Sequence, residues 1–372
     1  MALDGAVPNL PEVPGIPGLR DFTVIGRGAF AVVYRARQEA LDRDVAVKVS
    51  TVDVGPSAAE RAAGSRRFVH ESVALGRLSG HPHVLAVHAT GTLDDGRPYL
   101  VLDYALRGTL HDHILRYGPL PWHQAARMGI QLAGALESAH RRGVLHRDVK
   151  PQNVLLSDTG APLLADFGSA LADALPDALP DALSNTDDGE GDAPVEPVRV
   201  VGSVPYCAPE VLDGSPATAL SDVYSLAATI FFLVAGVPPF VAAPDETLAG
   251  LYLRIARDLP PVAPSSPDGL VRLLDAALAK DPAHRPGGAL SFAIGLTDVL
   301  SAARRSAADL VVVPRPAAVR ALSAGAGLEG RTGARRAVTP DPNAETADLS
   351  ELAARWRGVR LPAARDRRSF SS

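Results

Sequence analysis

Residues 146–153 read His146-Arg147-Asp148-Val149-Lys150-Pro151-Gln152-Asn153, and the fold is decided by how that stretch is read. An aspartate held beside a hydroxyl can accept its proton as the oxygen attacks. Asn153, five residues on, brings an amide oxygen that can ligate a cation, and Lys150 can neutralise charge on a phosphoryl group in transfer. Six specified positions within eight residues arise by chance about once in 20⁶ starts, which removes an ordinary polar loop as the explanation.

Working outward, lysine usage is the next signal. The chain holds 37 basic residues, and only Lys48, Lys150 and Lys280 are lysines. A lysine that persists against such an arginine bias marks a place where a compact ammonium works and a planar guanidinium does not. Lys48 ends the apolar strand Val45-Ala46-Val47-Lys48, where its ammonium can hold the α- and β-phosphates of a nucleotide. Upstream, Gly26-Arg27-Gly28-Ala29-Phe30-Ala31-Val32-Val33 follows a strand, and its glycines let backbone N–H groups approach phosphate oxygens. Taken alone, that motif is better explained as a plain hairpin turn. A carboxylate must fix the lysine, and Glu71 in Arg67-Phe68-Val69-His70-Glu71 is the better candidate; Glu60 lacks flanking apolar anchors.

These motifs, in this order, resemble the eukaryotic-type (Hanks-type) protein kinase superfamily in its bacterial Ser/Thr branch, over about Phe22 to Leu300. The resemblance implies an α+β, bilobal protein kinase fold with a β-rich N-lobe (22–103) and a helical C-lobe (104–300). It implies ATP and Mg²⁺, or Mn²⁺, as cofactors and protein Ser/Thr hydroxyls as acceptors. Asp166 of Asp166-Phe167-Gly168 and Asn153 would hold the metal, and Asp148, Lys150, Lys48 and Glu71 would be catalytic. Ile25, Gly26, Arg27, Gly28, Ala29, Phe30, Ala31, Val32 and Val33 would cover the nucleotide. Leu102 would gate the adenine pocket, the backbone of Asp103 and Ala105 would bond adenine, and Ala46 and Leu155 would pack on its faces. Glu210 of Ala208-Pro209-Glu210 would pair with Arg285, and Asp222 would anchor the catalytic-loop backbone. Lys150 and Ser203 favour Ser/Thr over Tyr, with Ser203 expected to contact Asp148 and Lys150.

Two departures stand out. Ala31 occupies the place of the family's third glycine. The segment from Asp166 to Glu210 is long, and its insert, about 173–196, carries eight acidic residues and no basic one, with imperfect Asp-Ala-Leu-Pro repeats. Ser184 and Thr186 are its only hydroxyls, and Val198-Arg199-Val200-Val201 lacks the family's usual threonines. Pairing of the acidic insert with Arg147 and a solvated linker both fit the composition.

Periodicity agrees with a two-lobed plan. Phe22-Thr23-Val24-Ile25, Val32-Val33-Tyr34, Val45–Val49 and Pro98–Leu102 read as strands, with a helix over about 58–78. Ala125–Arg142, Tyr224–Ala235, Leu270–Ala279 and Ala289–Ala302 read as helices. Residues 1–21 form an N-terminal extension. Residues 301–372 carry 13 Arg against 7 Asp or Glu; that surplus of six leaves −11 for residues 1–300 (−5 − 6). This tail is expected to be unstructured, with hydroxyls after basic residues at Thr339 and Ser369 and a possible short helix over Asp348–Arg357. Cys207 is the only cysteine, which excludes a disulfide within the chain and a multi-thiolate metal site. Without a secretory signal in residues 1–20 or a run of eighteen apolar residues, a cytoplasmic location with no membrane span and no nucleic-acid partner is expected.

Overall fold

The computed structural model describes residues 15–28, 31–51, 68, 72–167, 203–243 and 246–313. Five antiparallel strands form the first lobe: β1 (Leu19–Arg27), β2 (Ala31–Gln38), β3 (Arg43–Ser50), β4 (Val87–Thr92) and β5 (Pro98–Asp103), ordered β1-β2-β3-β5-β4. Alternation divides the faces of this sheet. Val45, Val47 and Val49 of β3 join Val32, Tyr34, Ala36 and Val101 in a core private to the lobe. On the other face Ala46, Leu100 and Leu102 belong to the main core of the molecule. Lys48 pairs with Leu100 and Ala46 with Leu102, so the lysine projects from that second face.

Before β4, residues 72–78 are helical and bury Leu75 and Leu78 in the main core. Of the helix expected over 58–78, only these residues and Phe68 are described. The strands run longer than periodicity suggested, and β4 was not anticipated. Its sequence, Val-His-Ala-Thr-Gly-Thr, lies at the sheet edge and is mostly exposed; its alternation rests on small residues after Val87 and gives only a weak apolar signal.

The second lobe contains α1 (Leu110–Tyr117), α2 (Trp122–His140), the short α3 (Pro209–Leu212), α4 (Ala219–Ala235), α5 (Leu248–Arg257), α6 (Asp268–Ala277) and α7 (Ala289–Ala302). A hairpin of β6 (Val154–Leu156) and β7 (Pro162–Leu164) sits between α2 and α3 in sequence. α4 is buried on every side from Ser221 to Val234, as a helix apolar all round must be. A capping box between Thr218 and Ser221 satisfies its first turn. Gly129 lets α2 lie close to α4 and α7: a Cβ there would stand 2.5 Å from Ile230 Cδ1 and 2.9 Å from Leu296 Cδ1.

Arg285 forms the expected pair with Glu210, bidentate at 2.6 and 2.7 Å, with the guanidinium over the Tyr224 ring at 5.0 Å. The third lysine is structural as well. Lys280 Nζ donates to Ile255 O in the last turn of α5 at 2.5 Å and lies 4.4 Å from the centre of the Phe240 ring. Burial pushes its amine down to about 8. Among the described residues no helix is long and apolar enough to cross a membrane.

Candidate active site

Residues 146–153 lie between α2 and β6, and their two sides face different surroundings. The His146 ring is fully buried against Phe167, with ring centres 4.6 Å apart. Its Nε2 donates to Ala165 O at 2.9 Å, and its Nδ1 accepts from Asp148 N–H at 3.3 Å. That pattern requires the neutral ring, and burial holds the His146 pKa below the ordinary histidine value.

Asp222, at the start of α4, supports the backbone from below. Oδ2 accepts from His146 N–H at 2.9 Å and Oδ1 from Arg147 N–H at 2.8 Å, as expected for an anchor. His140 Nε2 adds a third bond at 2.7 Å. Burial alone would raise the Asp222 pKa, but these donors outweigh it and hold the carboxyl below its usual value. Arg147 and Asp166 have φ of +68° and +60°, a left-handed backbone that non-glycine residues adopt at a cost. The Asp222 bonds to the loop are what hold Arg147 there.

Facing the cleft, Asp148, Lys150 and Asn153 bind one another. Asp148 Oδ2 accepts from Lys150 Nζ at 2.7 Å and from Asn153 Nδ2 at 2.9 Å. Asn153 Nδ2 also donates to Asp148 O at 2.9 Å, so its amide oxygen is the atom with lone pairs to offer a cation. Lys150 Nζ reaches Ser203 Oγ at 2.5 Å, which realises the lysine half of the contact expected of Ser203. The hairpin brings the next carboxylate: Ala165 N–H donates to Asn153 O at 2.9 Å, placing Asp166 beside Asn153.

Asp166 in turn forms an ion pair with Lys48 across the two lobes. The residues expected at the phosphate end therefore come together from β3, the 146–153 loop and the residue pair after β7. The donor set is oxygen only, one carboxylate and one amide, which suits a hard cation such as Mg²⁺ that completes its shell with phosphate oxygens and water. Deeper in, Ala46 and Leu102 are buried, and Leu155 and Val33 pack against the same core, so these residues expected around the nucleotide share one apolar cluster. Ile25 stands exposed at the lip. Ala29, Phe30, Glu71, Gly168 and the 173–196 insert lie outside the described residues.

Sequence reasoning did not single out His140 or the Asp166 partner of Lys48. His140 ends α2 in an ordinary helical pattern, and nothing local distinguishes it from a surface histidine. Asp166 is 118 positions from Lys48, a pairing that only the closed fold creates.

Residues 19–294 match the family described as the protein kinase domain. The serine/threonine-protein kinase PknK of Mycobacterium tuberculosis is 39% identical over 83% of this chain and 26% of its own length. A probable serine/threonine-protein kinase of Clostridium perfringens is 35% identical over 70% of this chain and 35% of its own. PknB of Mycobacterium leprae is 34% identical over 70% and 40%. The chain thus spans about a quarter to two fifths of the length of these relatives.

Proposed function

This chain belongs to the protein kinase family, and on that premise we propose that it transfers the γ-phosphoryl of ATP to serine or threonine hydroxyls of proteins. The observation that carries the reading is the convergence of Lys48, Asp166, Asn153, Lys150 and Asp148 on one face of the cleft.

In this reading Asp148 orients the acceptor hydroxyl and takes its proton, with two donors on Oδ2 fixing its rotamer. Lys150, already beside Asp148, sits where charge grows on the transferred group. Lys48 holds the α- and β-phosphates, with Glu71 as its proposed carboxylate partner. Asp166 and Asn153 would hold Mg²⁺, which supplies charge neutralisation at the phosphates when bound.

Ala46, Leu155 and Leu102 enclose adenine, and residues 25–33 cover the nucleotide. The backbone of Asp103 and Ala105 is proposed to meet the adenine edge, with the Ala105 carbonyl held by Gly108 N–H at 3.1 Å. The Lys150–Ser203 contact supports a Ser/Thr acceptor. The catalytic domain is proposed to span residues 22–300. A cytoplasmic setting goes with this proposal, supported by a sequence whose single cysteine can form no internal disulfide.

The test is a radiolabelled ATP assay on a generic basic protein, comparing wild type with Lys48→Met and Asp148→Asn. Label on Ser or Thr from wild type, and loss of it in both variants, supports the reading. Equal incorporation by wild type and Asp148→Asn would overturn it.

A further inference from the structure

Past α7 the chain folds back over the helical lobe. Arg305 N–H donates to Leu300 O at 2.8 Å, closing the helix end. Arg127 Nε on α2 then donates to Ser306 O at 2.8 Å, and Ala308 and Leu310 pack on the main core. Two turns along α2, Gly134 presents bare backbone to the returning segment. A Cβ at Gly134 would stand 2.4 Å from Val311 O, closer than any real contact allows. The glycine is what lets residues 306–312 lie against the helix.

Val311 O is met from the other side by His81 Nε2 at 2.9 Å. His81 lies in the loop between the helical residues 72–78 and β4. Its Nδ1 accepts from His83 N–H at 3.1 Å, so the ring proton is on Nε2 and is donated to Val311 O. His81 N–H bonds Leu78 O at 3.1 Å, tying the loop to the helix end. His83 Nδ1 meets Pro162 O on β7 at 3.1 Å. The loop behind the helix is therefore bonded to the second lobe by two routes: to the hairpin, where Leu85 N–H also donates to Leu164 O and Leu164 N–H to His83 O at 2.9 Å each, and to the returning segment through His81.

We propose that residues 305–312 are a brace of the catalytic unit, and that His81 is a positioning residue through which the brace holds residues 72–78 against the nucleotide-facing strands. The brace lies wholly beyond the family match, which stops at 294. It acts on the cleft through packing: Leu75 and Leu78 share one core with Ala46, Leu100 and Leu102 on the cleft face of the sheet. A brace that shifts moves the helix relative to Lys48. The effect on turnover rests on the kinase reading above; the mechanical coupling does not.

The experiment uses the full chain as wild type, Gly134→Val, His81→Ala and His81→Gln, with amide hydrogen exchange read by mass spectrometry alongside kcat at saturating ATP. Gly134→Val displaces the brace, and exchange is expected to quicken both in peptides covering 306–312 and in those covering 72–83. His81→Ala is expected to quicken exchange in 72–83, with kcat falling about three- to tenfold in both variants. Glutamine can donate to the same carbonyl, so His81→Gln is expected to recover most of the loss. Faster exchange confined to 306–312, with kcat within about twofold of wild type, would overturn the proposal, as would identical behaviour of the alanine and glutamine variants. Should Gly134→Val not fold, the His81 pair decides. An inactive wild type with the exchange coupling intact would sink the kinase reading and leave the brace standing.

Discussion

The cleft side and the buried side of residues 146–153 are built from neighbouring residues in opposite ways. On the cleft side the contacts are local: Asp148, Lys150 and Asn153 bind one another, with Asp148 and Asn153 themselves buried. On the buried side the contacts run from backbone and ring to distant elements: Asp222 from α4, His140 from α2 and the Ala165 carbonyl after β7. The lesson is a separation of roles within eight residues. Chemistry can be removed from above with the fold intact, whereas any change below costs stability and alignment together. Lys48 and Asp166 sit with the first group, and the Glu210–Arg285 pair with the second.

The sharpest test of that separation is Asp148→Asn. Phosphoryl transfer should fall by about 10²–10⁴, while urea titration should show an unfolding free energy within about 1 kcal/mol of wild type. A large stability loss would show that the cleft side carries the fold as well. Arg285→Ala should act through the fold instead, destabilising by about 3–5 kcal/mol because it leaves the half-buried Glu210 carboxylate unpaired. A variant melting like wild type would show that this pair bears no load.

Asp222→Asn should affect both properties at once. One carboxylate oxygen becomes a donor facing backbone N–H groups, costing about 1–3 kcal/mol and about tenfold or more in kcat through lost alignment. If only one property moves, the two sides are less coupled than the bonds indicate.

Acid should act on the buried side first. Burial holds His81, His83 and His146 below the ordinary histidine value of 6.5. Between those lowered values and 6.5 the unfolded chain binds more protons than the folded one. The stability their neutral rings contribute is therefore complete above about pH 6.5 and is lost as pH falls below it. Asp222, whose carboxyl is depressed, adds a further loss only below the carboxylate range. Thermal melts from pH 7.5 to 5.5 should show a declining midpoint, with His81→Gln declining less steeply; a flat profile would contradict the neutral, buried rings.

The smallest effect belongs to Lys280→Met, which removes one hydrogen bond and one ring contact but also a desolvated ammonium. The net change should be about 1 kcal/mol or less by calorimetry.

Much of this was legible in residue order. The 146–153 loop, Lys48, Asp166 and the Glu210–Arg285 pair were found from motifs because each is a fixed residue type at a fixed place, and the structure brings them together as expected. The helices α2, α4 and α7 were visible from apolar periodicity. Two groups of features were not. β6 and β7 are too short to show a period, and β4 alternates with residues too small to give a strong apolar signal. His140, His81 and Gly134 carry no local signal, because their importance comes from partners 82, 230 and more than 170 positions away.

Residue order was enough to give the family, the two-lobe plan and the identity of the side chains that gather in the cleft. These follow from residue types that chemistry cannot exchange, such as a lysine kept in a chain that otherwise uses arginine. Tertiary structure alone decided how those groups are held. It set the Lys48–Asp166 pairing across the lobes, the Asp222 support beneath the loop and the return of residues 305–312 to His81. Each depends on which distant backbone atoms meet, and neither composition nor spacing along the chain encodes such a meeting.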